Sequence, residues 1–526
     1  MRKKFNINSF WELALVAGIA SALVLTIVIG FGTMFTGWHL VDDHQFFWYI
    51  TRMNEGESVL DIIKSELLRD HFEQRRARFL FYPLRVPQAY LFGFNIVPYY
   101  ILKAVEAILS LIFLYYIGRE LDLNYFYSAL FSLSAFCGHQ SSVWWKLGTP
   151  QLQGTVFFSM GFYLMLRYFK TNSRAFAISS FVAFLCMANF HESFLCLIPF
   201  VILFTMFYAY KEGNYDGKFS LSILWEIVKK RLAYEIAIGS VFLVLISYIV
   251  FVLGVNSYGS VELGYPLSDT IHNFIDSIHG DLMFFWYFGV LLLFILATYY
   301  NAMKKLWMEA IMLIAIILPQ LFLYQKEGFY GRYLLPLSFA WSFLFVVIPY
   351  GYGVLKTKGR RVVYTITLCA MVAFSIRTVA LDADYFRFRG DSVQAMLDEL
   401  LELKKDGADV VSTLSATNYE AGLTTDYWLS SHNTPDCMYW NWEAGEVVGN
   451  PDYDITKADM IIEYNRDDIH FRADMDNIDH SGFEYVRCGS LDLYFSKAVY
   501  DTFSEEDLAK FKIEPTIYGI GAYDYN

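Results

Sequence analysis

This chain is poor in charged residues and in cysteine. Asp, Glu, Lys and Arg make up 18% of its 526 residues, below the quarter that is usual in soluble domains, while hydrophobic residues make up 56%. Its six cysteines form no CxxC pattern and no HExxH pattern occurs, so the sequence carries no metal-ligand spacing. The net charge of −12 argues against a nucleic-acid partner, because phosphate backbones are bound by basic faces. The low share of charged residues and the high share of hydrophobic residues together exclude an ordinary soluble domain.

The sequence contains many long apolar segments. Many of them reach about 17–25 residues, which is the length that spans a bilayer. The first run is too long for a signal peptide and no small-residue cleavage site follows it, so we expect a retained anchor. We predict a polytopic α-helical membrane protein with about eleven transmembrane helices, at residues 11–35, 97–118, 124–144, 154–170, 174–190, 193–210, 234–254, 283–300, 309–325, 333–352 and 362–381.

Lys and Arg are distributed unevenly among the loops between these segments. Alternate loops carry most of them: Arg119; Arg167, Lys170 and Arg174; Lys211, Lys218, Lys229, Lys230 and Arg231; Lys304 and Lys305; Lys356, Lys358, Arg360 and Arg361. The short loops on the other side carry only Lys146, Lys326 and Arg332. The positive-inside rule then predicts a cytoplasmic N-terminus, with the loop 36–96 and the region 382–526 outside. The compact loops favour a bacterial plasma membrane.

The chain divides into two predicted domains. Residues 1–381 form the transmembrane domain, and residues 382–526 form a small extracytoplasmic α/β domain. The second region holds 30 acidic and 11 basic residues, a net charge of −19, which leaves +7 for residues 1–381. It alternates an amphipathic helical pattern at 392–405 with strand-like segments at 409–414, 437–440, 460–464 and 483–495. Cys437 and Cys488 lie in it, and the sequence leaves open whether they pair.

The first outer loop, 36–96, has a pattern of its own. Val59, Leu60, Ile63, Leu67 and Phe72 recur at helical spacing among charged residues, which predicts an amphipathic helix in the membrane interface. Arginines then alternate with aromatic residues: Arg75, Arg76, Arg78 and Arg85 among Phe79, Phe81, Tyr82 and Tyr90. This combination suits a lipid phosphate head group, and it equally suits simple anchoring of the loop.

Four polar clusters fall on the predicted outer face. They are Asp42-Asp43, Trp144-Trp145-Lys146, His191-Glu192 and Arg332-Tyr333. Titratable residues at membrane depth are costly and are candidates for function. Each cluster also has a structural interpretation: the aspartates as a helix cap, the tryptophans as a membrane belt, His191-Glu192 as a buried pair, and Arg332 as a snorkelling side chain.

Together these features resemble the GT-C type glycosyltransferases, polytopic enzymes that use polyprenyl-phosphate sugars as donors. The resemblance rests on the acidic pair Asp42-Asp43 after the first helix and on a long first outer loop. It also rests on the late segment Gly331-Arg332-Tyr333-Leu334-Leu335-Pro336 and on a C-terminal domain outside the membrane. It covers the architecture of the whole chain, although its motifs are short.

The resemblance implies an inverting hexosyl- or pentosyltransferase. Asp42 or Asp43 would deprotonate the acceptor hydroxyl of a glycan, lipid or protein, and the choice between them stays open. His191 and Glu192 would orient the acceptor or supply a second acid/base group. The donor phosphate would be held by Arg332, Tyr333, Lys146, Arg76 and Arg78. The resemblance implies no required cofactor. It leaves open that a divalent metal, Mg²⁺ or Mn²⁺, binds between Asp42 and Asp43.

Three other functions remain open at this point. A transporter or flippase of lipid-linked saccharides would show inverted repeats and polar residues near the middle of the membrane, and neither is found. A glycan ligase would share the outer face and the lipid donor. A non-catalytic scaffold would leave the acidic pair without a reason to face Arg332 and His191-Glu192.

Overall fold

The structure of the chain is a computed structural model that describes residues 8–213, 215, 220–254, 264–280, 289, 307–326, 331–351, 357–417, 419–441, 443–465 and 478–516. Helices dominate it. Within the described ranges, six helices are long and apolar enough to cross a bilayer: Ser9–Gly30, Ile96–Glu120, Glu192–Glu212, Leu221–Gly254, Gly331–Gly351 and Lys358–Lys405. Three shorter apolar helices are Tyr125–Phe136, Arg174–Ala188 and Met308–Leu323.

These helices cover most of the predicted spans without establishing eleven of them. The predicted span 154–170 is a helix, Gln151–Thr171, but it is too polar to count among the six. The predicted span 283–300 lies outside the described residues, apart from residue 289. The structure therefore supports a helical protein with several helices of membrane length, and the count of eleven stays a prediction.

Two predicted spans are interrupted. The segment 124–144 is helical only as far as Phe136. Gly138 then adopts a φ of 135°, its N–H donates to Ser141 Oγ at 3.0 Å, and the chain continues as a 3₁₀ turn. The segment 193–210 begins with the short helix Glu192–Leu195 and resumes at Ile198, where a proline near the helix start sets the break.

The remaining connections form short helices along the first loop and beyond. The predicted amphipathic helix is confirmed as Val59–Arg69, capped by Ser58, which accepts the N–H of Asp61. Leu60 and Phe72 are largely exposed, as expected of a segment that lies in an interface. Other helices of the described residues include His44–Asn54, Phe81–Phe92, Ile198–Glu212, Leu267–Gly280, Leu335–Ser342 and Tyr419–Ser431.

The C-terminal region contains the predicted small α/β fold. Its six strands are β1 (Val410–Ser412), β2 (Met438–Asn441), β3 (Glu446–Val447), β4 (Met460–Tyr464), β5 (Phe483–Cys488) and β6 (Leu491–Ser496). The sheet order is β3-β2-β1-β4-β6-β5, with β1 parallel to both of its neighbours and the outer pairs antiparallel. The segment predicted as one strand at 483–495 is a hairpin that turns at Gly489, where φ is 57°. Cys437 and Cys488 are buried and free, so they do not pair.

The two predicted domains are joined by an uninterrupted helix. The helix Lys358–Lys405 runs through the predicted boundary at residue 381, so its second half belongs to the C-terminal region. The helix Tyr419–Ser431 connects β1 to β2 and packs against the first-loop helix His44–Asn54. Two aromatic pairs join these helices, Phe47 with Trp428 at 5.0 Å and Trp48 with Tyr427 at 4.9 Å between ring centroids. The C-terminal domain is therefore seated directly on the first loop.

Candidate active site

Asp42 is the centre of a cluster of charges drawn from distant parts of the chain. Its carboxylate Oδ2 lies 2.5 Å from Arg332 Nη1 and 3.8 Å from Lys146 Nζ. The side chains of Asp42, Lys146 and Arg332 are 21%, 25% and 19% exposed, so all three are partly open to solvent. Three of the predicted clusters thus meet, each from a different connection between helices.

The backbone at Asp42 is held in an uncommon conformation. Its φ is 74°, in the left-handed region that non-glycine residues rarely adopt and that asparagine and aspartate tolerate best. Arg85 fixes the turn from one side, because its Nη2 donates to the Asp42 carbonyl at 2.5 Å. The Arg85 guanidinium is buried and lies over the rings of Phe46 and Phe81, at 4.5 and 4.9 Å from their centroids. The first-loop arginine that supports the site is therefore Arg85.

Asp43 has a different environment from its neighbour. It is fully buried, and its two oxygens accept the backbone N–H groups of His39 and Gly148, each at 3.1 Å. Burial raises the pKa of Asp43 to about 7, against the lowering effect of these hydrogen bonds. Its carboxylate thus joins the first loop to the loop before the helix Gln151–Thr171, and it is closed off from solvent.

The acidic pair does not fit a divalent metal. Both oxygens of Asp43 accept backbone N–H groups, and the Asp42 carboxylate faces two cationic side chains. Magnesium and manganese require several free oxygen ligands around one point. Within the described residues, no three His, Cys, Asp or Glu side chains converge to supply them.

Positive charge determines the protonation state at the open part of the site. Burial acts to raise the pKa of Asp42, but Arg332 and Lys146 outweigh it and hold that pKa well below its usual range. Burial and the nearby charge of Arg332 lower the pKa of Lys146 to about 8. Asp42 is therefore ionised in this arrangement, between one permanent cation and one ammonium group of reduced basicity.

Glu420 joins the site from the C-terminal domain, and no sequence pattern predicted it. Its Oε2 accepts the N–H of Asp42 at 3.3 Å, and it lies within electrostatic range of Arg332 and Lys146. Burial and the repulsion of Asp42 raise the pKa of Glu420. Glu420 sits near the start of a helix that is 378 positions away from Asp42 in the chain, so only the docking of the domain brings them together.

Glu192 holds the first loop in place, and His191 caps the helix that begins at Glu192. Glu192 accepts from Arg78 Nε at 3.2 Å and from the N–H of Ala77 at 3.3 Å. His191 caps the short helix that follows it, because its Nδ1 accepts the N–H of Ser193 at 3.2 Å. Burial and the charge of Arg78 lower the pKa of His191 to about 3, so it is neutral. The charge of Arg332 also acts on His191.

The other predicted residues take supporting positions. Arg76 is half-buried beside the same group, where its charge acts on His191. Tyr333 lies under the Arg332 guanidinium, 5.3 Å from ring centroid to guanidinium carbon. Trp144 and Trp145 are fully buried, and Trp144 packs on Phe136 with 5.0 Å between ring centroids. These tryptophans are therefore core residues and do not form a membrane belt.

No protein-family model matches this sequence, and no curated protein matches it either.

The closeness of two loops at Gly148 gives a first test of this geometry. A Cβ at Gly148 would collide with the Arg85 guanidinium and with the Asp42 carbonyl, and a backbone carbonyl cannot easily yield. We expect Gly148→Ala to lose about 1–3 kcal/mol of stability, as in other overpacked sites. Thermal unfolding in nanodiscs would measure this effect.

Gly482→Ala is the matched control, because an added Cβ there meets no atom within 4 Å. If Gly148→Ala unfolded at the same temperature as Gly482→Ala, the close approach of Gly148 to Asp42 would be contradicted.

Proposed function

We propose that this protein is a GT-C type inverting glycosyltransferase that moves a sugar from a polyprenyl-phosphate donor to an acceptor hydroxyl. The observation that carries the proposal is the ion pair of Asp42 with Arg332 and Lys146, partly open to solvent, in a protein with several membrane-length apolar helices. One carboxylate and two cations are the groups that such a transfer needs: a base for the acceptor and positive charge for the leaving phosphate.

The cations supply the donor side of the proposed reaction. Arg332 and Lys146 hold the phosphate of the donor, and a planar guanidinium suits two phosphate oxygens at once. In the absence of donor, the counterion of both cations is Asp42. A bound phosphate competes with Asp42 for them, which frees the carboxylate and raises its basicity.

Asp42 supplies the acceptor side. Its carboxylate takes the proton of the acceptor hydroxyl while the hydroxyl oxygen attacks the anomeric carbon. The bond from that carbon to the phosphate oxygen breaks, and its electron pair stays on the polyprenyl phosphate, which Arg332 and Lys146 stabilise. A single displacement inverts the anomeric configuration. Asp43 has a structural role in this reaction: its two oxygens accept the backbone N–H groups of His39 and Gly148 and so hold the loop that carries Asp42.

The distribution of basic residues supports the proposed orientation, and the compact loops favour a bacterial plasma membrane. The N-terminus lies in the cytoplasm, and the site and the C-terminal domain lie on the extracytoplasmic side of a bacterial plasma membrane. Apolar side chains are exposed on the helix Val59–Arg69 and at Phe72. They support contact between the first loop and the membrane interface. A lipid-linked donor would reach the site from that interface.

Turnover of a defined donor tests the proposal. The purified protein in nanodiscs is incubated with a panel of radiolabelled polyprenyl-phosphate monosaccharides, and release of the sugar from the lipid is followed. We expect one donor to be consumed and its sugar to be identified by the same experiment. Binding of the donors without consumption of any of them would contradict the proposal and favour a transporter or a ligase.

A further inference from the structure

The C-terminal domain touches the site at its most constrained point. Asp42 has its left-handed backbone conformation, and the N–H at that turn donates to Glu420 Oε2 at 3.3 Å. Arg85 binds the carbonyl of the same residue. The peptide groups on the two sides of Asp42 are thus held by two different domains, Arg85 from the first loop and Glu420 from the C-terminal domain.

Further hydrogen bonds keep Glu420 in this position. Thr424, one turn along the same helix, is fully buried and donates its hydroxyl to the carbonyl of Leu40 at 2.5 Å. At the far end of the helix, Asn54 Nδ2 donates to the carbonyl of Ser431 at 3.0 Å. The helix Tyr419–Ser431 is therefore fixed to the first loop along its whole length, and its first turn cannot leave Asp42 without breaking these contacts.

Glu420 also contributes charge. It lies within electrostatic range of Asp42, Arg332 and Lys146, and its Oε2 is held 3.3 Å from the N–H of Asp42. A second negative charge beside Asp42 makes the freed Asp42 carboxylate a stronger base. The same charge opposes the phosphate of an incoming donor, because both anions compete for Arg332 and Lys146.

We infer that the C-terminal domain completes the site through Glu420, a positioning residue that holds the backbone of Asp42 and adds a negative charge beside the phosphate-binding cations. This inference rests on the proposed function for its catalytic consequence, whereas its electrostatic consequence requires only that polyprenyl phosphate binds at Arg332 and Lys146. The C-terminal domain then contributes directly to the site, because Glu420, which accepts the N–H of Asp42, belongs to that domain and not to the membrane-embedded part.

Two substitutions separate the hydrogen bond from the charge. Glu420→Gln keeps an oxygen that accepts the Asp42 N–H and removes the charge, while Glu420→Ala removes both. The full-length variants are compared in nanodiscs for affinity towards polyprenyl phosphate and for sugar release from the donor that the wild type consumes. Glu443→Gln, at an exposed carboxylate of the same domain, is the control for loss of one negative charge.

We expect Glu420→Gln to bind polyprenyl phosphate on the order of tenfold more tightly, because one competing anion is gone. Its turnover should fall by roughly tenfold, because the freed Asp42 carboxylate is a weaker base without a negative charge beside it. Glu420→Ala should share the tighter binding and lose more turnover, since the backbone of Asp42 is then held from one side only.

Opposite changes in affinity and turnover are what a merely structural residue would not produce. Wild-type affinity and turnover in Glu420→Gln would overturn the inference, as would an equal effect of Glu443→Gln. Tighter phosphate binding in Glu420→Gln, in a protein that consumes no donor, would support the placement of Glu420 while refuting the proposed glycosyltransferase.

Discussion

Replacing Asp42 by asparagine should reduce sugar release by roughly a thousandfold, within the range that a lost general base usually costs. The asparagine side chain keeps the size of aspartate but cannot take the proton of an acceptor hydroxyl. Asp42→Asn should nevertheless bind polyprenyl phosphate at least as tightly as the wild type, because Arg332 and Lys146 lose their competing counterion. Sugar release and lipid binding, measured on the same nanodisc preparation, would show this separation.

Asp43→Asn is the matched control, since the adjacent carboxylate has another task. An asparagine there keeps one acceptor oxygen and turns an NH₂ group towards the N–H of either His39 or Gly148. We expect a loss of about 1–3 kcal/mol of stability, the usual consequence of an unsatisfied buried donor. If both variants lost turnover equally at unchanged thermal stability, Asp43 would share the chemistry and the assignment of the base to Asp42 alone would be wrong.

The sequence allowed much of the site to be predicted because topology limits where loops can meet. Alternating basic residues assigned Asp42, Lys146 and Arg332 to the same face, and the structure brings their charged groups within 4 Å of Asp42. Helical periodicity predicted the first-loop helix, and alternation predicted the C-terminal strands, since each pattern depends only on neighbouring residues.

What the sequence left open depends on tertiary contacts. Adjacent aspartates look alike in sequence, and only the N–H groups of His39 and Gly148 make Asp43 a buried anchor. Glu420 is one of many acidic residues in a region of net charge −19, and no local pattern distinguishes it. Trp144 and Trp145 were open to a role at the membrane surface because burial cannot be read from a dipeptide. Docking of the C-terminal domain onto the first loop decides which residues enter the site.

Removing the guanidinium of Arg332 should have the second large effect, a loss of affinity for the donor lipid. The side chain is 19% exposed, contacts Asp42 at 2.5 Å and lies over the ring of Tyr333, so it is both accessible and pre-oriented. We expect Arg332→Ala to weaken the binding of polyprenyl phosphate by roughly a hundredfold, as expected for a lost charge-assisted contact in a partly buried site. Arg332→Lys should recover part of this, because it returns the charge without the planar fork.

Arg332→Ala should also change the pH dependence of turnover, and the charges around Asp42 determine the direction of the change. Burial acts to raise the pKa of Asp42, and Arg332 is the strongest influence that keeps it low. Without Arg332 the pKa of Asp42 rises, so residual activity in Arg332→Ala should be lost at higher pH than in the wild type as the solution is acidified. Arg174→Ala, at an exposed arginine that begins another helix, should change neither affinity nor pH profile. An Arg332→Ala variant with wild-type affinity would remove Arg332 from the phosphate site, and an acid limb that stayed in place would separate Asp42 from the step that limits turnover.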